Sequence, residues 1–310
     1  MSDVIDLQQF PVGKTFCIPT YQRDYAWTIA QVDDLFGDVQ EALDASSTHY
    51  LGTIVLAQRG DAGYDIVVGV SARLYPLIIR LHLRRMLLAP VPGANVDLLH
   101  CLEACEVRIY KTRGTDPARG IGHVSHRSRT ATVQEIGEAL KAFITQFMPD
   151  GSFQVYLGQN MYDNGALVLL LLSYDEHVAG QPYPLSTLVP LVTDHITREH
   201  IIARTPHWSV SSYGFTDDID HESHLHTLGH LTLLSQAENS RCTNQPPHTK
   251  MTAAHLYAQS KFAATRQLAH QYATAGGMYR NADLVNRTQM LTAFVLSNWC
   301  LWQTPLVTTK

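Results

Sequence analysis

Apolar residues recur every three to four positions in several long segments of the chain, which is the period of a helix with one buried face. The pattern predicts helices over residues 28–44, 74–88, 96–110, 132–147, 153–172, 252–273 and 282–303. Short apolar runs bounded by turn residues predict strands at 53–56 and 64–68. Together these elements predict an α+β fold in which helices dominate the second part of the chain.

The run Pro90-Val91-Pro92-Gly93 is the strongest linker signal along the chain. A chain of 310 residues is also longer than one hydrophobic core usually serves, so two domains are expected. We therefore predict an N-terminal segment over 1–89, a linker over 90–95 and a second domain over 96–310.

Composition narrows the partners that the chain could have. The net charge is -5, with 16% charged and 45% hydrophobic residues, which indicates a globular protein and argues against a generally basic nucleic-acid binder. A DNA contact would need a local basic patch, and the best candidate is the stretch 111–129, with Lys111, Arg113, Arg119, His123, His126, Arg127 and Arg129. A solvated, mobile loop is the alternative interpretation of this stretch.

Targeting and redox signals point to the cytoplasm. The first ten residues contain neither a basic start nor an apolar run, so no signal peptide is expected. The longest apolar run, at residues 166–173, is far too short to span a bilayer, so no membrane association is expected. The five cysteines include no Cys-x-x-Cys pair, which favours a reducing compartment.

Candidate chemistry lies in the C-terminal half, where Glu199-His200, His230, Asn239 and Lys250 follow one another. A neutral histidine can take a proton from an attacking water, and a carboxylate with an amide carbonyl suits Mg²⁺ or Mn²⁺. An acidic residue and a histidine on a strand, followed by a strand or loop and then an asparagine early in a helix, give a ββα-metal layout. In that layout Glu199 and Asn239 hold the metal, and His200 is the base.

Two groups of motifs resemble one known family. Glu-His-Ile-Ile at 199–202, Leu-Gly-His-Leu-Thr-Leu-Leu at 228–234, Asn239 and Lys250, with Tyr257 and Ser260 after them, look like the nuclease domain of GmrSD-type, modification-dependent (type IV) restriction enzymes. Ile-Pro-Thr-Tyr-Gln-Arg-Asp-Tyr-Ala-Trp at 18–27 and Leu-Gly-Thr-Ile-Val-Leu at 51–56 resemble the N-terminal domain of the same family.

The resemblance implies a truncated ParB-like α/β segment, followed by a mainly helical domain that contains an HNH-type module at about 196–262. It implies a metal-dependent DNA endonuclease of the restriction and defence class, acting on modified DNA. Lys250 would position the phosphate or stabilise charge in the transition state; a surface lysine is the plainer alternative. The resemblance also implies a nucleotide site with the residues Tyr21, Gln22, Arg23, Gly69 and Arg73.

The chain departs from the family in three places. Where family members carry Asp-Gly-Gln-Gln-Arg-Leu, this chain has Val68-Gly69-Val70-Ser71-Ala72-Arg73-Leu74, so nucleotide hydrolysis is not expected. The N-terminal segment is short, and a homodimer or another partner could complete it. The family's Gly-Asn-Leu is Gly229-His230-Leu231, where His230 could replace a hydrogen bond of the asparagine or ligate a softer metal ion.

Several other interpretations stay open at this point. The histidines at 221, 224, 226 and 230 could form a separate Zn²⁺ site, although a polar, solvated turn is favoured because no cysteine lies nearby. The aromatic residues at 21–27 could plug a core rather than bind a nucleotide. The chain could also be a catalytically inactive relative that binds or regulates, or an enzyme repurposed for a small molecule.

Overall fold

The computed structural model of the protein describes the backbone of residues 15–17, 56–59 and 63–66, and then residues 71, 73–183, 187, 196–274 and 276–300. The chain divides between Val70 and Ser71 into two compact units, residues 2–70 and 71–310. The predicted helix at 28–44 and the nucleotide residues Tyr21, Gln22, Arg23 and Gly69 lie outside the described residues.

The first unit contains a three-stranded sheet with strands β1 (Thr15–Cys17), β2 (Leu56–Arg59) and β3 (Gly63–Ile66). The central strand β3 pairs with β1 in parallel and with β2 in antiparallel fashion. In the register of the sheet, Thr15 lies opposite Gly63 and Leu56 lies opposite Ile66. Strands β2 and β3 overlap the strands predicted at 53–56 and 64–68, of which residues 53–55 and 67–68 lie outside the described residues.

The second unit begins earlier than the linker predicted at 90–95. Helix α1 (Tyr75–Leu83) belongs to it, because the guanidinium groups of Arg80 and Arg84 donate to the backbone carbonyls of Ser125 and Ser128. The proline-rich run is itself packed, since Val91 is buried and Pro90 forms a β-bridge with Asp97. The sequence signal of a linker is here a tight turn between two helices of one unit.

Helices follow one another through the next hundred residues, and polar side chains start several of them. Helix α2 (Leu98–Cys105) begins where the carboxylate of Asp97 accepts from the amide of His100, and it continues as a π-helix over Glu106–Thr112. Helix α4 (Val133–Phe147) begins at a capping box in which Thr132 and Glu135 satisfy each other's backbone amides. The elements of this part are α1, α2, α3 (Ala118–Arg127), α4, α5 (Asp150–Leu157) and α6 (Leu167–Ala179).

The basic stretch 111–129 is largely helical rather than a loop, since α3 occupies most of it. Lys111 lies 3.6 Å from Glu106, and Arg113 donates to the carbonyl of Phe147, so these two side chains have internal partners. Arg119, His123, His126, Arg127 and Arg129 are exposed.

A two-stranded antiparallel sheet and five helices complete the described part of this unit. Strands β4 (Ile196–His200) and β5 (Leu231–Ser235) pair with His200 opposite Leu231 and Thr197 opposite Leu234. Every residue of β5 is buried. The helices are α7 (Asp218–His224), α8 (Gln236–Cys242), α9 (Pro247–Thr252), α10 (Ala263–Ala273) and α11 (Asn281–Asn298).

Glu199 and His200 lie on β4 and Asn239 lies on α8, with α7 and β5 between these two elements in the chain. Helix α8 follows β5 directly, because Ser235 and Glu238 form a second capping box at the junction. No helix among the described residues combines the length and the apolar character needed to cross a membrane.

Candidate functional site

The two faces of strand β4 carry different chemistry, because successive side chains of a strand point to opposite sides. Thr197 and Glu199 point to one side, where their partners are the side chains of Asn239 on α8 and Lys250 on α9. Arg198 and His200 point to the other side, where both contact Tyr162. Glu199 and His200, neighbours in sequence, therefore serve two separate networks.

On the first side, Lys250 is enclosed by oxygen acceptors. Its Nζ lies 2.6 Å from Glu199 Oε1, 2.8 Å from the carbonyl oxygen of His200 and 3.3 Å from that of Ile201. The lysine side chain is 1% exposed and the glutamate side chain is 7% exposed. The three acceptors match the three donors of an ammonium group, so the lysine stabilises the end of β4.

The hydroxyl of Tyr257 donates to the same Glu199 Oε1 at 3.2 Å. Burial raises the pKa of the Glu199 carboxyl, and the Lys250 ammonium opposes that rise. Three residues of the family-like motif, Glu199, Lys250 and Tyr257, are thus brought together as one buried network. A fourth, Ser260, donates to Glu238 at 3.5 Å in the capping box of α8.

Asn239 contacts β4 without reaching the Glu199 network by any hydrogen bond of the described residues. Its amide nitrogen donates to Thr197 Oγ1 at 3.0 Å, and that hydroxyl donates in turn to the carbonyl of Leu234. Asn239 is half-buried, on the same side of β4 as Glu199.

The donor set for a divalent cation does not fit the arrangement of Glu199 and Asn239 as folded. The Glu199 carboxylate is already paired with an internal cation, and no three His, Cys, Asp or Glu side chains converge on a metal position within the described residues. The histidines at 221, 224, 226 and 230, all among the described residues, likewise do not converge on a metal position. In place of the polar turn favoured for that segment, residues 218–224 form helix α7, with His221 buried edge-on against Phe215.

On the second side of β4, three aromatic rings surround the imidazole of His200. Tyr162 stacks on it with centroids 4.7 Å apart and planes inclined by 22°, while the rings of His226 and His230 lie at 5.2 and 5.6 Å. Nε2 of His200 lies 3.2 Å from Nδ1 of His226. Burial, together with the neighbouring His226, Lys250 and Arg204, lowers the pKa of His200 to about 3, so its imidazole is neutral at physiological pH.

His230 is fully buried and both of its ring nitrogens face backbone groups. Nε2 lies 3.1 Å from the amide nitrogen and 2.9 Å from the oxygen of Ile202, and Nδ1 lies 3.2 Å from the carbonyl oxygen of His224. Burial lowers the pKa of His230 well below its usual value. A neutral ring that donates from Nδ1 and accepts at Nε2 anchors the segment after β4. Of the two roles suggested from sequence, a hydrogen bond or a metal ligand, these contacts favour the hydrogen bond.

A close backbone approach explains the glycine before His230. A Cβ at Gly229 would lie 2.3 Å from the carbonyl oxygen of Leu284 and 2.5 Å from the amide of Thr288, both on α11. The carbonyl of Gly229 accepts from Tyr279 and Arg287. Helix α11 therefore fixes the start of β5, and with it the position of His230.

Two residues of this site carried no sequence signal. Tyr162 precedes the motif region and meets His200 only through tertiary packing. Arg204 is exposed, has no ion-pair partner among the described residues, and lies near enough to contribute to the lowered pKa of His200. Arg73, predicted for a nucleotide site, is exposed and pairs with Asp116 at 2.9 Å.

Comparison with known families finds that two segments of the chain match restriction endonuclease domains. The family described as GmrSD restriction endonuclease, N-terminal domain, matches residues 4–69, and the C-terminal domain of GmrSD restriction endonucleases matches residues 166–294. The chain belongs to the GmrSD-like family of type IV restriction endonucleases, a class of DNA endonucleases in restriction and defence. Searches of curated proteins and of solved structures returned no significant match.

Proposed function

We propose that this protein is a DNA endonuclease in which His200 activates the attacking water, within an HNH-type ββα module formed by β4, β5 and α8. The observation that carries the proposal is the setting of His200. Its imidazole is neutral and held by Tyr162, His226 and His230 at the end of a strand, beside Arg204, which is exposed and has no ion-pair partner in the part of the chain that the structure describes. A neutral imidazole has the free electron pair that a general base requires.

In the proposed reaction, His200 takes a proton from water as the water oxygen bonds to phosphorus. The bond from phosphorus to the leaving sugar oxygen then breaks, and that oxygen takes up a proton from solvent water, to which His200 later releases the proton it accepted. The products are a 5′ or 3′ phosphate and a sugar hydroxyl. The guanidinium of Arg204 offsets the negative charge of the phosphodiester, a geometry that arginine supports well. The exposed Arg119, Arg127 and Arg129 of the basic stretch 111–129 would bind the DNA backbone.

The cleavage assay described below tests whether the reaction requires Mg²⁺ or Mn²⁺. Lys250 Nζ and Glu199 Oε1 lie 2.6 Å apart in a buried pair. A divalent ion could bind the Glu199 carboxylate only if it displaced the Lys250 ammonium. The proposed steps therefore depend on His200 and Arg204 alone, and Asn239 fixes α8 against β4 through its hydrogen bond to Thr197.

The finer properties of the family are proposals of the same kind. We infer a ParB-like N-terminal unit, modified DNA as the substrate, and no nucleotide hydrolysis, since residues 68–74 lack the Asp and both Gln of the family motif. A homodimer or a separate partner would complete the N-terminal unit, and light scattering of the purified chain distinguishes the two.

The test is a plasmid cleavage assay with the purified protein on unmodified and on cytosine-modified DNA. It is run with Mg²⁺, with Mn²⁺ and with chelator, and compares wild type with His200→Ala and His270→Ala. His270 is exposed on α10 and serves as the matched control. We expect cleavage by wild type and His270→Ala and its loss in His200→Ala. Equal cleavage by all three proteins, or none by any of them, contradicts the proposal.

One observation favours a second candidate, a DNA-binding family member that does not cleave. The Glu199 carboxylate is neutralised by Lys250, which leaves the chain without a free acidic metal ligand at β4. This candidate predicts DNA binding in a fluorescence anisotropy titration together with intact plasmid under every metal condition.

A further inference from the structure

The contact between His200 and His226 determines which nitrogen of His200 is available for chemistry. His200 Nε2 and His226 Nδ1 are 3.2 Å apart, within hydrogen-bond distance. In a neutral imidazole one nitrogen donates and the other accepts, so one ring must donate to the other. The direction of that donation fixes the tautomer of both rings.

The two directions differ in how stable the resulting tautomers are. If His200 donates from Nε2, both rings carry their proton on Nε2, which is the more stable form of a free neutral imidazole side chain. If His226 donates from Nδ1, both rings must adopt the less stable Nδ1–H form. The first direction is therefore favoured, and it leaves the electron pair on Nδ1 of His200.

We propose that His226 is a positioning residue that holds His200 as the Nε2–H tautomer and directs its Nδ1 toward the attacking water. This inference rests on the proposed nuclease function, which supplies the role of His200. Orientation of a functional imidazole by a partner on its second nitrogen is a common arrangement.

The chain holds His226 firmly enough for this role. Its carbonyl oxygen accepts from the amide of Met161 at 2.8 Å, directly before Tyr162. The rings of Tyr162 and His226 also contact each other, with centroids 5.2 Å apart. The stacking residue and the hydrogen-bonding residue of His200 therefore support each other, and neither belongs to the motifs that carry the family resemblance.

Two substitutions separate positioning from packing. His226→Phe keeps a ring but removes the acceptor, whereas His226→Asn offers an amide oxygen at the same number of bonds from Cα as Nδ1. His224→Gln, at a half-buried histidine of α7, is the matched control. For cleavage under saturating DNA we expect a loss of about 10–100-fold in His226→Phe, with unchanged DNA affinity. Most of the rate should return in His226→Asn.

The tautomer itself is read by long-range ¹H–¹⁵N correlation spectra of protein labelled in the histidine rings, with the His200 signals assigned from their loss in His200→Gln. We expect the Nε2–H form in wild type, His226→Asn and His224→Gln, and a mixture of tautomers in His226→Phe. A wild-type His200 in the Nδ1–H form, or an unchanged spectrum in His226→Phe, overturns the inference. Because the spectra need no cleavage, they decide the role of His226 even where the nuclease proposal fails.

Discussion

Lys250 Nζ and Glu199 Oε1 lie 2.6 Å apart in a pair that is almost completely removed from solvent. The pair joins α9 to the end of β4, and the same ammonium bonds the carbonyls of His200 and Ile201. The motif that contains the candidate base His200 thus also contains a structural ion pair, Glu199 with Lys250. The contribution of this pair to stability can be measured directly.

Removal of one member of this pair should be much more costly than removal of both. Breaking a buried ion pair by replacing one partner costs about 3–5 kcal/mol, because the other charge is left buried. We expect Lys250→Met to lose stability in this range in urea unfolding, and Glu199→Gln/Lys250→Met to lose clearly less than the sum of the single variants. Additive losses would mean that the two groups do not interact in solution.

The lowered pKa of His200 predicts how stability depends on pH. Its pKa is about 3 in the folded protein and near 6.5 when unfolded, so the unfolded chain binds more protons between these values. Stability from this group is fully present above pH 6.5 and is lost as pH falls toward 3. The slope of the unfolding free energy against pH, measured below pH 6, should therefore decrease by up to about 1.4 kcal/mol per pH unit in His200→Gln.

The control substitution must be made at an exposed histidine, because the buried His221 and His230, whose pKa values are also lowered, add to the pH dependence of stability in the same direction. His270→Gln, at an exposed histidine of α10, is therefore the matched control. Equal slopes in wild type and His200→Gln, from urea unfolding at pH 7, 6 and 5, would indicate that His200 is accessible to protons in the folded state.

Gly229 and Gly122 form a matched pair for the contact between α11 and the start of β5. A Cβ at Gly229 would overlap the α11 backbone, whereas a Cβ at Gly122 on α3 meets no atom within 4 Å. We expect Gly229→Ala to destabilise by about 1–3 kcal/mol or more, and Gly122→Ala to stabilise by about 0.5–1 kcal/mol. Thermal unfolding of both variants measures the difference, and a neutral Gly229→Ala would refute the close packing.

Arg204 should contribute to DNA binding through its charge. The side chain is exposed and without an ion-pair partner among the described residues, beside His200. We expect Arg204→Ala to weaken DNA binding and to reduce the slope of log affinity against log salt by about one, while Arg204→Lys keeps most of the affinity. An unchanged salt slope in Arg204→Ala, measured by fluorescence anisotropy, would place the phosphate contact elsewhere.

Periodicity and capping signals located some helices closely and missed others. The helix predicted over 153–172 is two helices, α5 and α6, and α3, α7, α8 and α9 were not predicted by periodicity. Helix α4 occurs where residues 132–147 predicted it, because Thr132 and Glu135 start it and its apolar residues face the core. The run predicted as a linker, residues 90–95, lies inside the second compact unit. Proline and glycine mark a turn whether or not a domain ends there, and only tertiary contacts such as those of Arg80 and Arg84 reveal to which unit α1 belongs.

The candidate site was predictable in its residues but not in their partners. The ordered motifs indicated Glu199, His200, His230, Asn239 and Lys250 from sequence. The side of β4 to which each side chain points follows from the alternation of side chains along a strand. The residues that it meets there come from distant segments of the chain, as Tyr162 does for His200. The separation of Glu199 from His200 therefore required the fold.

The central claim, that His200 is the base for DNA hydrolysis, is tested most directly by chemical rescue. Single-turnover cleavage of an end-labelled duplex is measured for wild type and His200→Ala, with increasing imidazole in the buffer. General-base catalysis contributes about 10²–10⁴-fold, so we predict a loss of at least about 100-fold in His200→Ala and partial recovery that rises with imidazole. Cleavage by His200→Ala at the wild-type rate would contradict the account.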